Sequence, residues 1–229
     1  MMIGCYIHHQ GAGHLNRSLS WAKDWAEQTG EEVTGMSSAP RPAEWPGQWV
    51  RLEPDWTPAP ETPSAAQQAS WLHWAPLHHP GLRTRMRQIS GWIAAAAPDL
   101  IVVDVSVEVA LLARLHGVPA VSVALPGDRG DRAHQLGYSL SSAVVGFWPA
   151  SAESAILRRR DAGPRTQALG ALSRFDARIS HRTAESHPTE NVRSRAPVRI
   201  ALLSGRGGAV FRTARPRRCA QRCRRRRSA

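Results

Sequence analysis

Short runs of β-branched and aliphatic residues alternate along this chain with segments whose apolar residues recur at helical spacing. That alternation constrains the fold more than any single residue does. Parallel strands need a connection long enough to hold a helix, so strand and helix in turn build a parallel sheet with crossover helices. The clearest strand is Leu100-Ile101-Val102-Val103, uniformly apolar, as a strand covered on both faces must be. Further strands are expected at residues 3–8, 32–37, 49–53, 120–125 and 143–148. One intervening helix carries Leu15, Leu19, Ala22 and Ala26 on a single face and stops at Gly30. Another carries Leu82, Met86, Ile89, Ile93 and Ala96 between Pro80 and Pro98. Residues 107–115, 132–140 and 151–160 supply three more. The pattern predicts an α/β protein with a Rossmann-like, doubly wound, mostly parallel sheet of about six strands.

Composition narrows the partners. A chain of 229 residues, 42% hydrophobic, can bury one core and part of a second. Its formal charge of +12 suggests a nucleic-acid groove until the distribution is read. Nine arginines and no acid fall in residues 212–229, which leaves only +3 for the first 211. A basic groove built into the fold is thereby excluded, and nucleic acid is not an expected partner. Cys5, Cys219 and Cys223 do not make a disulfide scaffold, which points to a reducing cytoplasm. The first residues lack the charged and apolar regions of a signal peptide. Apolar runs stop early, at Pro98 and at Asp104, well short of the roughly eighteen residues a membrane span requires. The expected location is cytoplasmic, with peripheral contact to the inner membrane face left open.

Residues 38–80 are interrupted by eight prolines from Pro40 to Pro76. Six of the nine tryptophans fall between Trp45 and Trp92. Indole faces stack on sugar rings and sit at membrane interfaces, so Trp45, Trp49, Trp56, Trp71 and Trp74 either line a binding pocket or pack this loop onto the domain. Further on, residues 176–196 are polar and unpatterned, as a linker would be. A strand at 198–203 then runs into Ser204-Gly205-Arg206-Gly207-Gly208, repeating the strand-to-glycine turn seen near the N-terminus. The expected division is a Rossmann-like domain at 1–175, the linker, the start of a second domain at 197–211, and a disordered arginine-rich tail at 212–229.

Chemistry is concentrated at strand ends. Gly11-Ala12-Gly13-His14 follows the first strand, where glycines admit a close ligand and the next helix offers unpaired N–H groups. The dinucleotide fingerprint is broken at Asn16, and no GK[ST] follows, so a P-loop is excluded. The glycines could equally serve only a tight turn. An imidazole at His14 could take a proton from a hydroxyl near neutral pH. Asp104, at the end of the central strand, could orient it if the two strands are neighbours, or could cap the next helix together with Ser106 and Glu108. Arg129, Arg132 and His134 either meet an anionic acceptor or pair at the surface. No carboxylate completes His73, His78 and His79, so no metal is assigned.

The segments Gly11-Ala12-Gly13-His14-Leu15-Asn16-Arg17, Pro98-Asp99-Leu100-Ile101-Val102-Val103-Asp104, Gly117-Val118-Pro119 and Leu169-Gly170-Ala171-Leu172-Ser173 together resemble GT-B glycosyltransferases. The likeness is to actinobacterial members related to the peptidoglycan lipid-intermediate N-acetylglucosaminyltransferase and to antibiotic glycosyltransferases. It implies two Rossmann-like domains facing across a cleft, one for a hydroxyl acceptor and one for a nucleotide-sugar donor, with no cofactor beyond that donor. By position it implies His14 as base with Asp104 as partner. Gly11, Gly13, Asn16, Glu108, Arg129 and His134 become acceptor-side substrate contacts, and Gly205, Gly207 and Gly208 a turn facing the donor phosphates. The second domain is expected to be reduced to its first strand, and the arginine run to be a gene read out of frame. Such a chain would be the acceptor half of a hexosyl transferase, inactive alone or completed by a separate donor-domain chain. Two rivals are a binding module whose arginine tail holds nucleic acid or anionic lipid, and a plain Rossmann nucleotide-binding protein.

Overall fold

The computed structural model describes residues 1–55, 71–72, 75–158 and 163–172. Strand β1 (Ile3–Tyr6) leads through a glycine turn into helix α1 (Ala12–Thr29), which ends on Gly30 in the left-handed conformation. Strands β2 (Val33–Ser37) and β3 (Trp49–Arg51) follow. Helix α2 (Pro80–Ala96) has proline in its first turn and is capped by His79, whose Nδ1 accepts the Leu82 N–H at 3.1 Å. Then come β4 (Leu100–Asp104), α3 (Val107–Leu115), β5 (Ala120–Val123), β6 (Gly127–Asp128), α4 (Arg132–Leu140) and β7 (Ala143–Gly146). A 3₁₀ turn at Ala150–Ala152, α5 (Glu153–Ile156), β8 (Leu157–Arg158) and β9 (Thr166–Ala168) complete the described elements.

Seven strands form one parallel sheet in the order β3-β2-β1-β4-β5-β7-β9. The chain winds outward from β1 through β2 to β3, then returns to the other side of β1 and winds outward again from β4. Strand order therefore reverses between β1 and β4, where Tyr6 is in register with Val103. At such a reversal the loops beyond the two strands diverge and leave a crevice, the usual ligand position in open α/β sheets.

The two-residue period of a strand decides which helix each side chain meets. Ile3, Cys5 and Ile7 point to one face and pack with Ala22 of α1, Val33 and Trp45. Tyr6 points to the other and joins Ile89 and Ile93 of α2 with Val109, Ala110 and Ala113 of α3. Full burial of an isoleucine such as Ile89, 0% exposed, contributes about 1.5–3 kcal/mol. A third cluster, Ala124, Tyr138, Val144, Trp148 and Leu157, closes the β7 end.

The structure corrects several expectations. The helix expected at 151–160 ends at Ile156, because Leu157 turns extended and β8 pairs with β6 through Arg158 and Asp128. Leu157 is buried in the third cluster with Ile156 packed against it, whereas Ser154 and Ala155 of the short helix stay exposed. Strand β9 was not expected, since Thr-Gln-Ala carries no apolar pattern and joins only the sheet edge. For Trp45 and Trp49 the structure decides between the two readings in favour of packing. Trp45 is buried and donates to the Val33 carbonyl at 2.8 Å, Trp49 meets it edge-on at 5.1 Å, and both rings fill the space over Gly35 that a side chain would occupy. Trp71 is exposed, with the Arg132 guanidinium 5.8 Å from its ring centre. Trp56, Trp74 and His73 lie outside the described residues.

Candidate active site

The loop between β1 and α1 brings Gly11 to φ 88°, a conformation only glycine adopts without strain. Helix α1 therefore starts directly beyond the carboxyl end of β1, with no side chain capping it. Its first two turns place His14 and Arg17 on one side, three residues apart. Across the crevice, β4 ends on Asp104, and the chain turns sharply through Val105 at φ 73° into α3. A β-branched residue in the left-handed region is a genuine outlier costing on the order of 1–3 kcal/mol, sustained here by the packing of both flanking elements.

Asp104 is 1% exposed, and its carboxylate is shared between two residues of α1. The His14 imidazole meets Oδ2 through Nδ1 at 2.6 Å, and Arg17 Nη2 donates to Oδ1. A carboxylate only accepts, so Nδ1 carries a proton, and in the neutral ring the lone pair is on Nε2. In that tautomer the 3.3 Å approach of Arg17 Nη2 to Nδ1 is donor against donor, and the guanidinium spends its N–H on Asp104 instead. Nε2 has no hydrogen-bond partner among the described residues, the ring's contacts being made through Nδ1. Asp104 does not cap α3. That role belongs to Ser106, whose Oγ accepts the Val109 N–H at 3.2 Å, leaving the carboxylate free for His14 and Arg17.

Two further histidines crowd this end of β1. His8 stacks on His9 with ring centres 5.1 Å apart and leans on His14 at 5.2 Å. Burial, reinforced by His14 and His9, pushes His8 down to about 4, so it is uncharged at neutral pH. Burial, only partly offset by the Asp55 carboxylate, also lowers His9.

Behind them a fully buried arginine ties α2 to β1 and to the segments that follow β2 and β3. Arg85 of α2, 1% exposed, donates from Nη1 to the Tyr6 hydroxyl at 2.6 Å, from Nε to the Glu53 carbonyl at 3.0 Å and from Nη2 to Ser38. It is also paired with Asp55 at 2.8 Å. Asp55 in turn faces His9 Nδ1 at 3.7 Å. Gly81 lets α2 come this close, because a Cβ there would lie 1.9 Å from the Pro54 carbonyl oxygen. Burial also raises the Tyr6 phenol, against the opposing pull of Arg85.

The other expected residues are more dispersed. Gly13 sits exposed on the first turn of α1 with open space where a Cβ would point, and Asn16 is half-buried on the next turn, its carbonyl accepting from Ser20. Glu108 lies in the first turn of α3, near enough to Tyr6 for its charge to act on that hydroxyl. Arg129 folds back on its own loop, donating to the carbonyls of Leu125 and Pro126. His134 is bound to Asp131 at 2.5 Å, and although burial opposes it, hydrogen bonds from the His134 backbone and ring hold that carboxyl below its usual range. Arg129 and His134 line, with Val105 and Ser106, a hollow of about 20 Å³, enough for about one ordered water. Among the described residues no three His, Cys, Asp or Glu side chains group as metal ligands, and no helix is long and apolar enough to cross a membrane. Gly205, Gly207 and Gly208 lie outside the described residues, as do the expected linker, second-domain start and arginine tail.

Arg17, Arg85, His8, His9 and Asp55 are the residues that sequence reasoning missed. Arg17 had a signal, its spacing of three from His14 at the start of a helix. Arg85 had one as well, since it stands inside the apolar stripe of α2 where a charge has no surface to reach.

No protein-family model matches the chain, and no curated protein does. Among solved structures it is similar to MurG of Acinetobacter baumannii, at 16% identity over 73% of this chain and 47% of that one, TM-score 0.43. It is also similar to the calicheamicin glycosyltransferase CalG4, at 17% identity over 75% of this chain and 53% of that one, TM-score 0.48. A third is the Streptomyces glycosyltransferase SsfS6, at 14% identity over 73% and 56%, TM-score 0.46. These structural neighbours are GT-B glycosyltransferases, and the chain spans about half the length of each.

Proposed function

We propose that this chain is the acceptor-side domain of a glycosyltransferase that moves a hexosyl group from a nucleotide-sugar to an acceptor hydroxyl. The observation that carries the reading is the His14–Asp104 contact of 2.6 Å, made across the crevice where strand order reverses. In this reading the acceptor hydroxyl approaches Nε2 of His14, which takes its proton as the oxygen attacks the anomeric carbon of the donor. The imidazole becomes positively charged, and the buried Asp104 carboxylate stabilises that charge and holds the ring in one tautomer. The nucleoside diphosphate departs with the electron pair of the broken glycosidic bond. Open space over Gly13 leaves the start of α1 approachable by the acceptor. The sequence resemblance supports a nucleotide-sugar as donor, held by a second domain or by a separate donor-domain chain.

The test supplies that half. The full chain is mixed with a separately expressed donor-binding domain, radiolabelled UDP- and dTDP-hexoses and a panel of alcohol acceptors, and labelled product is separated. The expected result is transfer that falls on the order of 10²–10⁴-fold in His14→Gln. Transfer unchanged in His14→Gln would remove His14 from the chemistry. Absence of product from every donor, with a melting temperature that instead rises with NAD or ATP, would favour a plain nucleotide binder.

A further inference from the structure

Two cationic candidates compete for one buried carboxylate at this site. Asp104 is 1% exposed, so its charge is held out of water and must be met by its neighbours. His14 meets Oδ2 and Arg17 meets Oδ1. With His14 alone, a buried carboxylate at 2.6 Å would draw a second proton onto the imidazole, since opposite charge favours the charged form. A doubly protonated imidazole has no lone pair and cannot accept a proton from anything.

Arg17 removes that difficulty, because a guanidinium is always charged and presents planar donors suited to a carboxylate. Its placement is built by the fold. It lies one turn along α1 from His14, its Cζ stands 5.8 Å over the Phe147 ring beyond β7, and its side chain is 19% exposed. The other groups facing His14 are His8, tilted against it, and His9, close enough for their charges to interact. Neither supplies positive charge at neutral pH, so the cation on Asp104 must be Arg17. We propose that Arg17 is a positioning residue of this site. Its guanidinium neutralises the Asp104 carboxylate and so keeps the His14 imidazole uncharged and able to accept a proton from a substrate hydroxyl. The inference rests on the proposed base role of His14 for its functional meaning, while its electrostatic content stands on the contacts alone.

The experiment uses the full chain without substrate and follows the Cε1–H resonances of its histidines by NMR from pH 4.5 to 9, with His14 assigned from the signal lost in His14→Gln. Arg17→Gln can still donate an N–H to Asp104 but carries no charge, Arg17→Met tests loss of both, and Arg17→Lys keeps the charge. The His14 signal is expected to change at a higher pH in Arg17→Gln than in the parent. Arg17→Lys should return the curve towards the parental one. Where transfer is measurable, the acid limb of the rate profile should shift in parallel. A merely structural brace would lower the melting temperature without moving the His14 curve. Coincident curves for the parent and Arg17→Gln would overturn the proposal. Absence of transfer with a shifted curve would overturn the glycosyltransferase reading and leave the Arg17 assignment standing.

Discussion

Replacing Arg85 by Met tests whether the buried arginine holds the crevice together. The substitution keeps a long flexible stem in the core but removes the donors to Tyr6, Ser38 and the Glu53 carbonyl, and the charge that meets Asp55. A hydrogen bond from a charged donor is worth about 1.5–3 kcal/mol, but these share one guanidinium and do not add. Breaking a buried ion pair by removing one partner costs about 3–5 kcal/mol, mostly from the charge left behind. Asp55 is 18% exposed and recovers some solvation, so the expected loss is about 3 kcal/mol. Urea unfolding followed by tryptophan fluorescence measures it, since Trp45, Trp49 and Trp92 report from the same half of the sheet. The double variant Arg85→Met/Asp55→Asn should recover about 1 kcal/mol or more, because the orphaned carboxylate is gone. A loss under about 1 kcal/mol in Arg85→Met would refute the reasoning, showing that water replaces these partners at no cost.

Acid should weaken the fold through His8. Its folded-state value near 4 lies below the ordinary 6.5, so the unfolded chain binds the proton more readily. Stability is then unaffected above about pH 6.5, falls as pH drops towards 4, and levels below that. At 1.36 kcal/mol per unit the ceiling is about 3 kcal/mol, reduced by the partial solvent access of the ring. Urea titrations at stepped pH should show this slope, and His8→Asn should flatten it. A glycine pair separates packing from open space. Gly146→Ala drives a methyl to 2.2 Å from the Trp148 ring and should cost about 1–3 kcal/mol. Gly13→Ala meets nothing and should gain up to about 1 kcal/mol of helix stability in the same assay.

The sheet was legible because the period of apolar residues is a property of each strand and helix by itself. The expected span of α2, from Pro80 to the residues before Pro98, follows from chemistry local to its ends, and the structure places it there. The meeting of His14 with Asp104 was conditional on β1 and β4 being neighbours, a fact of strand order that no local signal carries. Arg85 was hidden for the opposite reason. Charged residues are read as surface, and only the convergence of Tyr6, Ser38, Glu53 and Asp55 from three separate parts of the chain makes a buried guanidinium tolerable. Trp45 and Trp49 were left open between the two readings, since an amphipathic ring suits a binding wall and a core equally, and the absent side chain of Gly35 decides for packing.

The most direct measurement is a double-variant cycle on the proposed transfer, assayed with the separately expressed donor-binding domain and comparing His14→Gln, Asp104→Asn and the two combined. If the imidazole and its buried carboxylate act as one unit, the combined variant should be no slower than His14→Gln alone, within a few-fold. Losses that multiply would mean that the two residues act independently, and the account of a supported base at the reversal of the sheet would be contradicted.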